Sequence, residues 1–241
     1  MPLPIKAAEG VELELHPDRP MARARVTRPG AERALSWDRF VRLQAAARRV
    51  RALAIDPATI LDAGGFDGAL ALFLPEYTVD VVDPVTTGGT ILGLPCADRT
   101  FDAVLGIDVL EHIEPQHRNQ ALAEFARVAS RHIVLNYPCQ DSRDAQVLAL
   151  QLTDNELIKD HVHWPLPDSA QVLNELAKYG FTGEISGHGN VAVWLSQYVA
   201  LNLLPDTAQA LNEHLVANFA DEKQGDGNRS LYHLLSLSRT Q

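Results

Sequence analysis

Hydrophobic and polar positions alternate in two different ways along this chain of 241 residues. Near the start, residues 11–15 (VELEL) and 22–26 (ARARV) alternate apolar and polar around a Pro-Asp-Arg-Pro turn, which predicts a β-hairpin. From Ser36 onward, apolar residues recur at helical spacing behind a residue type that favours helix starts. We therefore expect residues 1–35 to form an N-terminal extension with a hairpin, and residues 36–241 to form the main domain.

The main domain alternates strand-like and helix-like runs. Its first strand-like runs are 59–63, 79–83, 101–107 and 132–136, and its first helix-like runs are 68–74 and 115–129. Later runs predict helices at 145–159 and 168–179, a strand at 182–186, a helical pair over 191–220 broken at Pro205, and a closing strand at 231–238. Such alternation is typical of the α/β class, in which a parallel sheet is covered by helices on both faces. The helical pair is then an insert before the last strand.

Composition and charge narrow the range of partners. The chain is 46% hydrophobic, enough to bury the core of one domain, and its net charge of −10 disfavours nucleic acid and anionic membranes as partners. The longest nearly apolar run, 191–204, is too short to span a bilayer. The start resembles no export signal, and two cysteines without metal-ligand spacing predict no disulfide framework. We expect a cytoplasmic protein.

A glycine-rich turn follows the strand that ends at Asp62. Its glycines are Gly64, Gly65 and Gly68. Backbone without Cβ atoms at the carboxyl edge of a parallel sheet lets a ligand approach closely. Phe66 occupies the second glycine position of the G-x-G-x-x-G pattern, which disfavours a nicotinamide or flavin cofactor. Asp83 ends the next strand, about where an acidic residue binds both ribose hydroxyls of a nucleoside.

Four carboxylates stand near the predicted sheet edge. They are Asp62, Asp67, Asp83 and Asp108. Such a set suits a nucleoside that carries positive charge rather than a pyrophosphate. S-adenosylmethionine, which combines a ribose with a sulfonium and an ammonium group, fits this description.

Four segments in order resemble motifs of the class I S-adenosylmethionine-dependent methyltransferases of the type 11-like group. They are 60–68 (ILDAGGFDG), 81–83 (VVD), 94–104 (LPCADRTFDAV) and 108–113 (DVLEHI), within a resemblance that covers residues 36–187 and 231–238. The resemblance implies a Rossmann-like, seven-stranded, mostly parallel sheet. It also implies an enzyme that uses S-adenosylmethionine and releases S-adenosylhomocysteine.

The resemblance also implies roles for single residues. The glycines of the turn and Asp62 would line the methionine part of the cofactor, Asp83 would bind the ribose, Cys96 and Ala97 would lie near the outer edge of the site, and Asp108 would border the methyl-transfer region. Two positions depart from the family pattern. Phe66 stands where many members have glycine, and Thr90 stands where many have an adenine-binding aspartate.

Histidines supply the candidate catalytic groups. His112 follows the strand predicted at 101–107, and His161 and His163 lie in a predicted loop that continues into Trp164. Each imidazole could act as a base if the acceptor were a hydroxyl or an amine, although packing and capping are the alternatives. An H-x-H pair could also bind a metal, but no third ligand follows at a convincing spacing, so we expect no metal site.

The predicted function is methyl transfer to a small metabolite or to a saccharide hydroxyl. Segments 139–170 and 191–220 should form the acceptor site, because substrate identity usually resides in decorations of a common sheet. The apolar run within the second segment predicts core packing, with a lid or a homodimer face as alternatives. The alternative functions are a non-catalytic S-adenosylmethionine-binding subunit and a nicotinamide-dependent oxidoreductase.

Overall fold

A computed structural model describes residues 6–55, 58–220 and 229–240 of the chain. Its strands are β1 (Val11–Leu15), β2 (Ala22–Val26), β3 (Thr59–Ala63), β4 (Thr78–Val82), β5 (Phe101–Ile107), β6 (Ala129–Pro138), β7 (Phe181–Asn190) and β8 (Ser230–Arg239). Its helices are α1 (Trp37–Ala52), α2 (Leu70–Phe73), α3 (Arg118–Val128), α4 (Arg143–Thr153), α5 (Glu156–His163), α6 (Ser169–Ala177), α7 (Val191–Leu203) and α8 (Pro205–Phe219). Residues 1–5 of the predicted extension lie outside the described residues.

The strands form one sheet in the order β1-β2-β4-β3-β5-β6-β8-β7. The four central strands, β4, β3, β5 and β6, are parallel, and β8 and β7 follow antiparallel to their neighbours. The predicted α/β class, with parallel central strands and a helical pair before the last strand, is confirmed. Parallel strands place their carboxyl ends at the same edge, where β3, β4 and β5 all lead into loops.

The sheet has eight described strands, so the predicted number of seven is wrong. Six of these strands belong to the main domain and the N-terminal hairpin adds two, because β2 pairs antiparallel with β4 through Ala22 opposite Val81 and Ala24 opposite Val79. All four of these side chains are buried. An alternating strand with one apolar face can extend an existing sheet, and the hairpin buries its apolar face in this way.

Two apolar clusters cover the two faces of the sheet. One cluster joins the sheet to α1, α2 and parts of α7 and α8, and the other joins it to α3 and α6. Neighbouring residues of β3 illustrate the division, since Ile60 belongs to the first cluster and Leu61 to the second. Successive side chains of a strand point to opposite faces, so a strand covered on both sides is apolar throughout.

The segment after β6 differs most from the sequence prediction. The single helix predicted at 145–159 is instead two helices, α4 and α5. Asp154 ends α4 in a left-handed conformation with a φ of 47°, and the Asn155 side chain accepts a hydrogen bond from the Leu157 amide to start α5. Asp and Asn tolerate left-handed geometry and cap helices well. His161 therefore lies on a helix rather than in the predicted loop.

Helix α7 carries the apolar run of the insert. Trp194 and Ala200 on this helix are buried, whereas Leu201 and Leu203 are partly exposed. The helix packs against α8 and α4. Across the described ranges, we find no helix with the length and apolar content needed to cross a bilayer.

Candidate functional site

A cavity of about 1010 Å³ opens at the carboxyl edge of the parallel strands. One side is formed by the strand ends and their loops, with Asp62, Gly64, Gly65, Phe66, Asp83, Thr90 and Asp108. The other side is formed by helices of the two decorations, with Gln146, Leu157, Ile158, His161, Trp164, Trp194 and Tyr198. The topology therefore brings five of the eight predicted cofactor residues and parts of the predicted acceptor segments to one space.

The glycine turn is shaped by close contacts that leave no room for side chains. Gly64 has a φ of 84°, and a Cβ atom there would lie 2.4 Å from a methyl group of Val109. A Cβ atom on Gly65 would lie 2.2 Å from Oδ2 of Asp62. Phe66 adopts a φ of 44°, the left-handed geometry that glycine usually provides. The turn thus keeps the backbone path of a glycine at position 66 although the residue is phenylalanine.

Gly68 has a packing role that the sequence did not indicate. Its φ is 75°, and a Cβ atom would lie 2.8 Å from Leu13 and 3.2 Å from Ala24 of the hairpin. Among the described residues that line the cavity, Gly68 does not occur. The residue lets the hairpin approach the turn closely, and it does not face the cavity.

Asp62 is a buried carboxylic acid on the cavity wall, with 3% of its surface exposed. Burial raises the pKa of Asp62 to about 7, and the charges of Asp67 and Asp83 raise it as well, while Arg39 opposes them. Asp67 itself forms two hydrogen bonds with Arg39, of 3.0 and 2.7 Å. Since Arg39 neutralises Asp67, the carboxylates of Asp62 and Asp83 remain for a cationic ligand.

Asp83 caps the loop after β4 and also lines the cavity. Its Oδ1 atom accepts hydrogen bonds from the Val85 and Thr86 amides, at 2.8 and 3.1 Å. The Thr86 hydroxyl in turn donates to the Phe66 carbonyl at 2.6 Å, which ties this loop to the glycine turn. The cap fixes the carboxylate through one oxygen and leaves Oδ2 for a ligand.

Asp108 is held by an arginine that the sequence did not single out. The Nε atom of Arg42 lies 3.0 Å from Oδ2 of Asp108, and Nη1 of Arg42 lies 2.8 Å from Asp38 and 3.3 Å from the Tyr232 hydroxyl. Asn136 donates to the other Asp108 oxygen at 3.0 Å. Although burial opposes it, these acidic neighbours raise the pKa of Arg42 well above its ordinary range. Asp108 therefore belongs to a buried ion-pair network on the cavity wall.

Two of the three candidate histidines meet at the cavity. The rings of His112 and His161 lie 4.7 Å apart between centroids, and their Nε2 atoms are 3.2 Å apart. Burial lowers the pKa of His161 to about 3, and the charge of His112 contributes. His163 is exposed and is absent from the described residues that line the cavity. His161 and His163 of the H-x-H pair therefore lie on different sides of α5, and of the two only His161 is among the described residues that line the cavity.

Cys96 and Ala97 also do not occur among the described residues that line the cavity. The thiol of Cys96 instead lies 3.3 Å from the sulfur of Met21, next to the hairpin. Thr90, in the position of the family's adenine-binding aspartate, does line the cavity, and its hydroxyl accepts a hydrogen bond from the Leu92 amide at 3.2 Å.

Sequence reasoning missed Arg42 and Tyr232 as wall residues, and within the predicted acceptor segments it gave no individual role to Gln146, Trp194 and Tyr198. The Asp38–Arg42 and Trp194–Tyr198 pairs had a local signal, since residues four apart share one helix face. Arg42 reaches Tyr232 across 190 residues of sequence, which no spacing rule predicts.

Comparisons with known proteins agree with this fold. Residues 76–132, which run from β4 through α3 into β6, match the family described as methyltransferase domain. A Galdieria sulphuraria structure provisionally named a sarcosine dimethylglycine methyltransferase shares 14% identity over 82% of this chain and 86% of that chain, with a TM-score of 0.53. A Thermotoga maritima S-adenosylmethionine-dependent methyltransferase shares 13% identity over 85% and 95%, with a TM-score of 0.52.

A third structure contains the cofactor product. Magnesium protoporphyrin IX methyltransferase from Synechocystis, with bound S-adenosylhomocysteine, shares 14% identity over 84% of this chain and 83% of that chain, with a TM-score of 0.50. The search among curated proteins found no match. The chain therefore contains a segment that matches a methyltransferase domain, and its fold is that of solved S-adenosylmethionine-dependent methyltransferases.

Proposed function

We propose that the protein transfers the methyl group of S-adenosylmethionine to a hydroxyl group of a small-molecule acceptor, a metabolite or a saccharide. The observation that carries the proposal is the single cavity of about 1010 Å³, which runs from the carboxylates at the sheet edge to aromatic and histidine side chains. Pockets for one drug-sized ligand range from roughly 300 to 1,000 Å³. The cavity therefore has room for the cofactor and a second molecule.

The side of the cavity at the sheet edge is the proposed cofactor half. Asp83 would accept hydrogen bonds from the ribose hydroxyls through its free Oδ2 atom, and Asp62 would face the positively charged methionine part. Gly64 and Gly65 would allow the backbone to approach it. Bound S-adenosylmethionine supplies an activated methyl carbon, and a cation beside Asp62 would favour the ionised form of this carboxylate. Asp108 would act by positioning, since both of its oxygens already have partners.

The helical side of the cavity is the proposed acceptor half. Trp194 and Tyr198 lie on α7 with ring centroids 5.1 Å apart, and stacking surfaces of this kind suit a ring-containing acceptor. The buried Tyr198 hydroxyl has no hydrogen-bond partner among the described residues, and burial raises its pKa to about 12. It therefore stays protonated at neutral pH and can donate to an acceptor oxygen.

The histidines add the second feature of the acceptor half. With its pKa lowered to about 3, His161 is unprotonated at neutral pH. An unprotonated imidazole nitrogen can accept a hydrogen bond from a hydroxyl group of the acceptor, or it can bind a cation that also binds the acceptor oxygen. Either interaction would hold the acceptor oxygen near His161. The names of two similar structures, which specify sarcosine and dimethylglycine in one case and magnesium protoporphyrin IX in the other, also point to small-molecule acceptors.

Calorimetric titration with S-adenosylmethionine tests the cofactor half. Asp83→Asn should lower the affinity by roughly 1 to 3 kcal/mol, as expected for the loss of charged hydrogen bonds. The matched control is Asp154→Asn, which removes a carboxylate that is 90% exposed in its side chain and lies outside the cavity lining. Equal affinity of Asp83→Asn and the control would remove the ribose assignment.

Turnover tests the acceptor half. The protein should release S-adenosylhomocysteine with members of a panel of hydroxyl-bearing metabolites and saccharides, and more slowly after Tyr198→Phe. Turnover with amines alone would contradict the hydroxyl assignment. Tight binding of the cofactor with no turnover over hydroxyl and amine panels would favour a non-catalytic binding subunit instead.

A further inference from the structure

Glu111 is a carboxylic acid buried without a partner. It lies in the turn 110–112 that follows β5, none of its surface is exposed, and neither of its carboxylate oxygens has a hydrogen-bond partner among the described residues. A buried carboxylate is normally paired, hydrogen-bonded or bound to a metal, because it otherwise loses its hydration without compensation. An unpartnered carboxyl group at this position therefore either holds a proton or binds a cation.

Two histidine nitrogens next to Glu111 also face each other. His161 Nδ1 lies 2.6 Å from Oε1 of Gln146, and His112 Nδ1 lies 3.3 Å from a carboxylate oxygen of Asp160. Because the Gln146 oxygen accepts, Nδ1 of a neutral His161 carries the proton and its Nε2 carries a lone pair. The Nε2 atoms of His161 and His112 are 3.2 Å apart. The His161 lone pair is therefore directed at a second imidazole nitrogen, an arrangement in which the two rings can bind one cation between them.

A chain of hydrogen bonds fixes the orientation of the Gln146 amide. Ser142 donates its hydroxyl proton to the Cys139 carbonyl at 2.7 Å, so the same hydroxyl accepts from Nε2 of Gln146 at 2.9 Å. The Oε1 atom of Gln146 must then be the atom that faces His161. Ser142 and Gln146 are both buried, and their arrangement sets the tautomer of His161.

We propose that Glu111, His112 and His161 bind a divalent first-row transition-metal ion. One ligand atom from each residue lies within 4.8 Å of the others. Two imidazole nitrogens and one carboxylate oxygen form a ligand set typical of zinc and related metals in catalytic sites. A dication there would pair with the Glu111 carboxylate and attract both Nε2 lone pairs. Gln146 and Asp160 would orient the rings by accepting from Nδ1, as outer-shell groups of histidine ligands commonly do.

The remaining coordination positions would open towards the cavity. His112 and His161 both line it, and His161 lies on the helical side that forms the proposed acceptor half. This part of the inference rests on the proposed function, because an acceptor oxygen could then occupy an open position on the ion. The site therefore favours acceptors that present a hydroxyl or a comparable oxygen ligand.

Metal titration of the full chain tests the site without any turnover. After treatment with EDTA and dialysis, calorimetry with Zn²⁺ and with Co²⁺ should show one ion per chain at high affinity. Glu111→Gln and His161→Ala should weaken binding at least about a hundredfold, and Gln146→Ala by about 10- to 100-fold. The matched control is His163→Ala, which removes an exposed histidine from the same helix and should bind like the wild type.

Thermal unfolding shows whether each variant is folded before its metal binding is compared. In EDTA, Glu111→Gln should be at least as stable as the wild type, since a neutral amide replaces an unpaired carboxylate. Added Zn²⁺ should raise the melting temperature of the wild type and of His163→Ala, but not of Glu111→Gln. Absence of ion binding by the wild type would overturn the proposal, and so would equal binding by all the variants.

The two proposals fail separately. S-adenosylmethionine should bind the protein in EDTA with affinity close to that of the untreated protein, because none of the three ligands is among the residues proposed to bind the cofactor. Cofactor binding without metal binding would remove the metal site and leave the proposed function intact. Metal binding without cofactor binding would contradict the proposed function alone.

Discussion

Adding one methyl group to the glycine turn should weaken cofactor binding by a route that the structure specifies. In Gly65→Ala, the new Cβ atom would lie 2.2 Å from Oδ2, 2.3 Å from Cγ and 2.9 Å from Oδ1 of Asp62. All three distances are below the contact limit of about 3.0 Å. The whole carboxylate must therefore move, because no single torsion of the alanine can relieve three contacts.

The expected magnitude follows from what the carboxylate does in place. A displaced Asp62 would lose its charged hydrogen bonding to the cofactor, which costs about 1.5 to 3 kcal/mol, or roughly a 10- to 150-fold loss of affinity. Crowding in a packed site also destabilises the folded protein by about 1 to 3 kcal/mol. Calorimetric titration measures the first effect, and urea unfolding measures the second.

A double-mutant cycle separates the carboxylate from other effects of the methyl group. Asp62→Ala alone should weaken binding, and adding Gly65→Ala in that background should cost little more, because the clashing atoms are gone. Gly93→Ala is the control, since a Cβ atom there meets nothing within 4 Å. Wild-type affinity in Gly65→Ala, or full additivity of the two losses, would refute the reasoning.

Four further predictions concern pH, the hairpin and the ion pairs. The pKa of Asp62 is raised to about 7, so cofactor affinity should rise between about pH 6 and pH 8, and calorimetry on Asp62→Asn should show no such rise. For the same reason the wild type should lose stability as pH rises from about 4 to 7, because its folded pKa lies above the unfolded one, and Asp62→Asn should lose less. Gly68→Ala should lower the free energy of unfolding by about 1 to 3 kcal/mol more than Gly30→Ala does. Gly30 is the control because it also has a positive φ, whereas a Cβ atom there would meet nothing within 4 Å. Equal losses in the two variants would contradict the packing role of Gly68. Arg42→Met should lower the free energy of unfolding by about 3 to 5 kcal/mol, because it leaves the buried Asp108 carboxylate without its ion-pair partner. Adding Asp108→Asn to this variant should recover part of the loss in urea unfolding, and the absence of any recovery would contradict the ion-pair account.

The central sheet could be predicted from the sequence because its signals are local. Strand β3 was predicted with the bounds that the structure shows, since a short apolar run ends at Asp62 before glycines. The glycine turn and Asp83 follow from the same reasoning, because parallel strands bring their carboxyl ends together. The role of the hairpin as two further strands was not predictable, because its own pattern does not specify which edge it joins.

The site beyond the strand ends depended on contacts between distant segments. Asp67 and Asp108 read as free carboxylates in the sequence, yet each is paired with an arginine of α1. Likewise, the H-x-H pair seemed to lack a third metal ligand, whereas the fold brings His161 to Glu111 from 50 residues away in the numbering. Spacing rules detect ligands on one element, and these residues lie on different elements.

A crystal structure of the protein with S-adenosylhomocysteine tests the central claim most directly. The account predicts the ribose hydroxyls within hydrogen-bonding distance of Oδ2 of Asp83. It also predicts the amino group of the homocysteine part beside Asp62 and the backbone of Gly64 and Gly65, with the sulfur directed towards the half of the cavity that contains His112. A ligand bound elsewhere, with the glycine turn and Asp83 closed over by side chains, would contradict it.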